Sequence, residues 1–316
     1  MAQPARSRSR ERYRRAALTF AATVATKTVA LAALLISVPL GIGYLGGERF
    51  GVWMTALSAA GLLSFANLGF DKGLLNALAA ADSRDDRAAA GRLVATAFLL
   101  LGAVFTALLA LFAIFYPVTP WARLLNVGLA AAADAGPVMA ALTLCALLAL
   151  LASLVDTVQA AYQEGFLNGL WEGIGKLLAL AALGAAILCG MSLPWLALVV
   201  ASAPLIAAVT NAVQLFGRRR PWLAPRPSLV TRAAARQLLS ASGLFFLSQL
   251  ALSVAYYADN LIVAQFAGSE AVASYAVVAR LFDLPGMLLL MVGSALWPPK
   301  RSRGAMSAGP SAASGD

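Results

Sequence analysis

The sequence predicts an all-α integral membrane protein, a multi-pass bundle of about eight transmembrane helices. Of its 316 residues, 61% are hydrophobic and only 12% are charged, and the mean hydropathy is +0.80. A soluble domain is about half apolar and about a quarter charged. Eight apolar segments also reach the ~20 residues that a bilayer-crossing helix needs. Basic residues concentrate in alternate connections between these segments, as in membrane proteins of fixed orientation.

The first segment follows six arginines between Arg6 and Arg15, a pattern that resembles a signal peptide. Its apolar stretch runs from about residue 16 to residue 45, far longer than the ~7–15 residues of a cleaved peptide's core. We therefore predict a retained first helix. The predicted spans are 17–45, 51–78, 93–116, 137–160, 167–189, 194–216, 240–266 and 271–298.

The distribution of Lys and Arg predicts which side each connection faces. Nineteen of these residues lie in the two tails and in every second connection, whereas only Arg49 and Arg123 lie in the others. The positive-inside rule then predicts cytoplasmic N- and C-termini. The predicted units are a basic tail (1–16), a six-helix lobe (17–216), a basic loop (217–239), the start of a second lobe (240–298) and a disordered tail (299–316).

The composition also excludes several kinds of chemistry. The sequence has no histidine, which removes histidine metal sites, Ser-His-Asp hydrolysis and histidine proton relays. Cys145 and Cys189 lie in apolar segments without metal-ligand spacing, and we interpret both as buried thiols. We predict no metal, no cofactor and no enzymatic activity. The net charge of +10 is assigned to the bilayer surface rather than to nucleic acid.

Two hairpins of the predicted bundle share a short repeat. At a shift of 222 residues, Gly46 matches Gly268, Glu48 matches Glu270 and Trp53 matches Tyr275. Both matches lie at a predicted outer turn between two helices. Secondary transporters are often built from repeats, with the substrate path at the repeat interface.

The segment around the first of these turns resembles a known family. The stretch "YLGGERFGVWMTALSAAGLLSFANLGFDKGLLNALAAADSRDD" (44–86) is similar to the first hairpin of lipid-linked polysaccharide flippases. These are the Wzx-type O-antigen and capsule exporters of the multidrug/oligosaccharidyl-lipid/polysaccharide (MOP) superfamily. The resemblance continues through "YQEGFLNGLWEGIGK" (162–176), "RRPWLAPRP" (219–227) and "YADNLIVAQFAGSEAVASYAVVARLFDLP" (257–285), and it covers most of residues 16–298.

The resemblance implies two six-helix lobes around a central cavity. In such proteins undecaprenyl-pyrophosphate-linked oligosaccharide crosses from the cytoplasmic to the periplasmic leaflet by alternating access. The implied partners are the bilayer, the lipid-linked glycan and polysaccharide polymerase or assembly proteins. Family members have twelve or more helices, whereas this sequence predicts eight and then a Ser/Gly/Ala/Pro-rich tail from Lys300. We therefore expect a C-terminally truncated chain.

Charged residues within the predicted spans need a functional or structural reason, since each costs ~2.5–3.5 kcal/mol at mid-bilayer. At ~1.5 Å per residue from Glu48, Lys27 and Asp71 lie about 32 and 35 Å away, at one depth near the cytoplasmic face. A Lys27–Asp71 contact would leave Lys72 free for headgroups or a cavity mouth. Alternatively, Asp71 and Lys72 only mark the water-exposed end of the second predicted helix.

The fourth predicted hairpin carries charges at similar depths on its two helices. Asp259 and Arg280 lie about 9 and 12 residues from the turn, and Asp283 shares a face with Arg280. These charges either line a polar path or form structural ion pairs.

Together these positions give our candidates for the substrate path and for bending or close packing. The path candidates are Lys27, Asp71, Lys72, Asn76, Asp156, Asp259, Asn260, Arg280 and Asp283. The bending and close-packing candidates are Gly69, Gly73 and Pro285. We interpret the Glu172–Lys176 pair as structural. Positive charges within the spans do not outnumber negative ones. A pyrophosphate substrate, which is an anion, would favour an excess of positive charge.

Two other functions remain open from the sequence. A cation-coupled multidrug exporter of the same superfamily would use Asp71, Asp156 and Asp259 to bind its ion. A membrane-embedded glycosyltransferase or ligase would need large outer loops, yet the longest, 117–136, has only Arg123 and Asp134 as charged residues.

Overall fold

The protein is a bundle of α-helices. A computed structural model describes the backbone of residues 5–128 and 131–296, and side chains from residue 24 onward except 129–130, 241–244, 280–281, 283–284 and 287–296. No strand occurs within these ranges. The helices are α1 (Ala5–Leu62), α2 (Phe70–Ser83), α3 (Arg87–Phe115), α4 (Trp121–Leu124), α5 (Ala132–Ala161), α6 (Gly165–Leu188), α7 (Leu193–Gln214), α8 (Arg232–Ala267) and α9 (Ser269–Leu296).

Helix α1 is a hairpin of two arms that meet at Gly46. A straight helix would place residues 41 and 53 about 18 Å apart. Instead, a Cβ added at Gly41 would lie 2.9 Å from the ring of Phe50 and 3.5 Å from that of Trp53. Gly46 has φ 76° and ψ 167°, a combination that essentially only glycine adopts. The chain therefore reverses at this glycine.

The second arm of the hairpin is broken part of the way along. Its α-helix ends at Leu62, continues as a 3₁₀ turn over Leu63–Asn67, and restarts as α2 at Phe70. Leu68 (φ 53°) and Gly69 (φ 73°) both have left-handed backbones at the junction. We call residues 47–83 the broken arm. The predicted span of 51–78 is therefore interrupted beside Gly69, one of the residues predicted to allow bending, and the arm extends to Ser83.

The helices run beyond several predicted ends. Six stretches of the described residues are long and apolar enough to cross a membrane: 24–83, 87–115, 132–161, 165–188, 193–219 and 245–267. The first of them contains both arms of the hairpin and so accounts for two predicted spans. The eighth predicted span lies in α9, whose helix runs through Pro285 without interruption.

The connection after α7 is shorter and better packed than predicted. Helix α8 already begins at Arg232, capped by the Thr231 hydroxyl, so the predicted loop of 217–239 ends at residue 231. Leu223 in this connection is fully buried against the bundle. The loop is thus docked on the helices by an apolar anchor. The predicted tail 299–316 lies outside the described residues.

Two apolar clusters hold the bundle together, one towards each end. We call the end with the connections 84–86, 162–164 and 217–231 the inner end, and the end with the turns at Gly46 and Gly268 the outer end. The inner cluster includes Phe70, Leu74, Leu154 and Leu215, and the outer one includes Phe50, Trp53, Leu142 and Leu196. Cys145 is buried, but Cys189 is exposed at the end of α6, contrary to the prediction.

The outer end is also tied by two side-chain amides. The Asn126 amide nitrogen donates to the Ala264 carbonyl over 2.9 Å, and the Gln265 amide donates to the Leu124 carbonyl. These bonds connect the loop around α4 to the last turn of α8, in addition to the apolar packing.

Candidate functional site

The most ordered group of polar side chains surrounds Asp71, in the first turn of α2. The Asn67 amide nitrogen donates to one carboxylate oxygen of Asp71. The other oxygen accepts from the Thr157 hydroxyl at 3.0 Å and lies 3.4 Å from the Ser153 hydroxyl, both on α5. We call these four residues (Asn67, Asp71, Ser153 and Thr157) the Asp71 cluster. No ion-pair partner of Asp71 occurs among the described residues.

The break in the arm is what creates this cluster. Asn67 ends the 3₁₀ turn and is only 8% exposed, while Asp71 begins the next helix four residues later. Between them, Leu68 has a positive φ, which for a large side chain costs about 1–3 kcal/mol. Such backbone strain is common where a protein positions functional groups.

Three further charges lie near the cluster. Asp156 lies on α5, and its carboxylate is close enough to those of Glu172 and Asp71 for electrostatic repulsion between them. Glu172 is itself paired with Lys176 at 2.5 Å across one turn of α6. The Asn168 amide donates to the Asp156 carbonyl, which ties α6 to α5 at this level. The region therefore carries charges of both signs.

Lys27 lies at the same end of the bundle as Asp71. The hydroxyl of neighbouring Thr26 donates to the Gly169 carbonyl, one turn into α6, whereas Asp71 is bonded one turn before the end of α5. Since α5 and α6 are joined by a short turn, the two charges share a level. They are not an ion pair, however, because Asn67, Ser153 and Thr157 surround the carboxylate. The predicted Lys27–Asp71 contact is wrong.

The remaining candidates separate into two places. Lys72 and Asn76 are exposed on α2, while Gly73 is buried in the same helix. Asp259 and Asn260 lie towards the outer half of α8, where Asp259 accepts from the Tyr275 hydroxyl at 2.9 Å and Asn260 donates to the Ser58 hydroxyl at 2.8 Å. The side chains of Arg280 and Asp283 lie outside the described residues. The structure thus divides the candidates between an inner and an outer group.

The sequence alone did not single out Asn67, Ser153 and Thr157. Small polar residues inside apolar helices are common, and these carry no charge to draw attention. A signal was nevertheless present, since Asn67 precedes Asp71 by one turn and Ser153 precedes Thr157 by one turn.

An arginine-bearing cavity of about 330 Å³ opens beside the inner connection. Its polar lining comes from Arg87, Arg92, Ser228 and Thr231, and the Arg87 guanidinium lies 5.6 Å from the centre of the Trp222 ring. We call it the inner cavity.

An ion pair and a ring contact lie beside the inner cavity. Arg220 pairs with Glu164 at 2.9 Å and lies 3.8 Å over the Tyr162 ring. Burial raises the pKa of the Tyr162 phenol above its usual range, so this side chain stays neutral.

The long apolar helices define a multi-pass α-helical membrane protein. Residues 16–300 match the polysaccharide biosynthesis protein family, which is most of the chain. The chain belongs to this family. No curated protein matches the sequence.

Solved structures with this fold are distant in sequence. A MOP superfamily transporter from Pyrococcus furiosus has a TM-score of 0.70 at 15% identity, with 89% of this chain and 62% of that chain covered. An inward-facing multidrug resistance MATE family transporter gives 0.68 at 15% identity, covering 86% and 64%. An outward-facing one gives 0.63 at 18%, covering 89% and 62%. The chain thus spans less than two thirds of the length of these structures.

Proposed function

We propose that the protein moves an undecaprenyl-pyrophosphate-linked oligosaccharide from the cytoplasmic to the periplasmic leaflet of the bacterial inner membrane by alternating access. The observation that carries this proposal is membership of the polysaccharide biosynthesis family over residues 16–300. An undecaprenyl-linked repeat unit is the form in which a membrane transporter would meet such a glycan. The inner end, with its basic connections, is then the cytoplasmic side.

The inner cavity supports the proposal as a first contact for the lipid phosphates. Arg87 and Arg92 line it, and a guanidinium is well suited to bidentate bonds with phosphate oxygens. Ser228 and Thr231 add hydroxyl groups beside the two guanidinium groups.

The proposal is tested by following lipid-linked repeat units in cells that depend on this protein. Loss of the protein should leave these units on the cytoplasmic side, where a periplasmic ligase cannot use them. Replacing both Arg87 and Arg92 by Ala should lower export at least tenfold, because a bond to a charged partner is worth ~1.5–3 kcal/mol. The matched control is Arg84→Ala, which removes an exposed arginine of the same connection that does not line the cavity.

Three outcomes would contradict the proposal, and two of them would favour another function. Normal delivery of the repeat units to the periplasm in cells without the protein would contradict the proposal. Drug resistance that depends on Asp71 would favour a cation-coupled multidrug exporter, which the MATE-like fold also accommodates. Sugar transfer by the purified protein would instead point to a glycosyltransferase.

A further inference from the structure

The inner cavity is shared between two parts of the chain that are far apart in sequence. Arg87, Gly91 and Arg92 of α3 contribute to one wall, and Ser228 and Thr231 of the connection 217–231 contribute to the other. A ligand in the cavity would therefore contact both the helices before the connection and the segment that leads into α8. At about 330 Å³ the cavity has room for a phosphate group and part of the molecule that carries it.

The wall formed by α3 carries positive charge that the protein does not neutralise. Arg92 is partly buried and makes no ion pair among the described side chains. Arg87 approaches only Asp85, at 4.0 Å, in a pair that is largely exposed. Two guanidinium groups on one cavity repel each other, and an unpaired charge away from water is costly. An anion between them relieves both effects, since a guanidinium binds phosphate oxygens through two parallel hydrogen bonds.

The cavity also lies at the depth where lipid phosphates are found. Arg92 is the last charged residue before the apolar run of α3, which begins at Leu93 and continues to Phe115. Arg87 and Arg92 therefore lie at the boundary between water and hydrocarbon, at the end of the bundle with the basic connections. Basic pockets at such a boundary bind lipid headgroups, because the phosphate is the first anionic group beyond the acyl chains.

The polar contacts between the connection and α3 are weak. The Thr231 amide donates to the Thr96 hydroxyl over 3.4 Å, which is long for a hydrogen bond, and the Trp222 ring faces the Arg87 guanidinium at 5.6 Å. The other backbone hydrogen bonds of the connection are local ones that close short turns. Thr231 also caps the N-terminus of α8, so the position of the connection determines where α8 begins.

We propose that a lipid phosphate bound in the inner cavity fastens the connection, and with it the start of α8, to α3. Arg87 and Arg92 neutralise the phosphate from one wall, and the Ser228 and Thr231 hydroxyls donate to its oxygens from the other. When the cavity is filled, α8 is held against the helices before the connection, and when it is empty the connection is released more easily. We call this arrangement the phosphate clamp.

The phosphate could come from two kinds of lipid with the same chemistry. The inference rests on the proposed function for one of them, the lipid-linked glycan, whose arrival would then tighten the connection. The other source is the headgroup of an anionic phospholipid. The experiment must therefore supply each lipid separately.

The test is hydrogen exchange of the purified full chain in dodecyl maltoside, a detergent without a phosphate group. Separate samples receive no lipid, undecaprenyl pyrophosphate, phosphatidylglycerol or diacylglycerol. With a lipid phosphate at ten times its Kd, the amides of residues 222–231 should exchange about tenfold more slowly, because binding lowers the population of the open connection by that factor. Diacylglycerol, which has acyl chains but no phosphate, should have no effect.

Replacing both Arg87 and Arg92 by Gln should remove the slowing. Because the loss of Arg87 also removes a contact to Trp222, Arg92→Gln alone provides a second variant without that effect, and it should reduce the slowing at least threefold. The matched control is Arg84→Gln, which changes an exposed arginine at the same end that does not line the cavity. This control should keep the full slowing.

The outcomes separate this inference from the proposed function. Equal exchange in every sample would overturn the phosphate clamp, as would slowing by diacylglycerol or slowing that survives in both cavity variants. Slowing by undecaprenyl pyrophosphate would support the clamp and the proposed function together. Slowing by phosphatidylglycerol alone would support the clamp and contradict only the lipid-linked glycan as its ligand. Loss of export in the arginine variants without any change in exchange would overturn the clamp and leave the proposed function standing.

Discussion

The two outer turns of the molecule have the same backbone but lead into different helices. Gly46 has φ 76° and ψ 167°, and Gly268, 222 residues later, has φ 84° and ψ 168°. After Gly46 the chain enters the broken arm, whereas after Gly268 it enters α9, which is continuous to Leu296. The repeat that the sequence predicted is therefore a repeat of the turn and not of the helix that follows.

The polar side chains differ between the two copies, as do the helices that follow the two turns. The positions equivalent to Asn67 and Asp71 in the second copy are Leu289 and Gly293, and the start of the 3₁₀ turn, Leu63, corresponds to Pro285. The second copy has neither the amide nor the carboxylate of the Asp71 cluster. The shared turn thus preserves the hairpin, while the helices after the two turns carry different polar side chains.

The equivalence of the two turns would be refuted most clearly if either turn tolerated a side chain. We expect Gly46→Ala and Gly268→Ala each to destabilise the protein by about 3 kcal/mol, because only glycine populates this backbone region readily. Thermal unfolding in detergent, followed by size-exclusion chromatography, measures the loss. Gly43→Ala is the control, since a Cβ there meets nothing within 4 Å and its helix favours alanine. Similar losses at both turns would confirm their equivalence, and an unchanged Tm at either would refute it.

The packing of one hairpin on the other should be the next most sensitive feature. A Cβ at Gly51 would lie 1.7 Å from the Ser269 backbone oxygen, so Gly51→Ala must displace the start of α9 from the first hairpin. We expect a loss of about 1–3 kcal/mol, as for other overpacked sites. Gly102→Ala, in an open position on α3, should be harmless by the same thermal assay. Equal stability of the two variants would mean that the hairpins separate at little cost.

The smallest expected effect concerns a contact that the second copy has and the first lacks. Tyr275 donates to Asp259, whereas the equivalent positions are Trp53, which is buried, and Ser37. Tyr275→Phe should lower stability by no more than about 1 kcal/mol, the value of an ordinary hydrogen bond. Trp53→Phe, which leaves a void in the outer cluster, should cost more in the same measurement. The reverse order would show that the Asp259 contact organises the second hairpin.

The sequence predicted the fold class and the repeat because both depend on patterns that are local in the chain. Apolar length identifies spans, and Gly46 and Gly268 stand at matching offsets in matching surroundings. A bend at Gly69 was among the predictions, but the 3₁₀ turn before it was not, because Leu68 in a left-handed backbone runs against local preference. The packing around it, and not the local sequence, selects that conformation.

The site was predictable only in part for the same reason. Asp71 was a candidate because a charge within an apolar run is conspicuous. Its partners Ser153 and Thr157 are more than 80 residues away, and only the packing of α2 on α5 brings them together. Lys27 was expected beside Asp71 from depth alone, yet depth does not determine which side of a helix a residue faces. Angular position around the bundle is the information that helix counting lacks.

The hydrogen bonds that Asn126 donates to α8, and that Gln265 of α8 donates to Leu124, have an electrical consequence. Both side chains are neutral, and so are the carbonyl groups of Ala264 and Leu124 that accept from them. Separating this pair of bonds moves no net charge through the membrane field, whose work is about 2.3 kcal/mol per elementary charge per 100 mV. These two hydrogen bonds therefore add no voltage dependence of their own to a movement of α8 at the outer end.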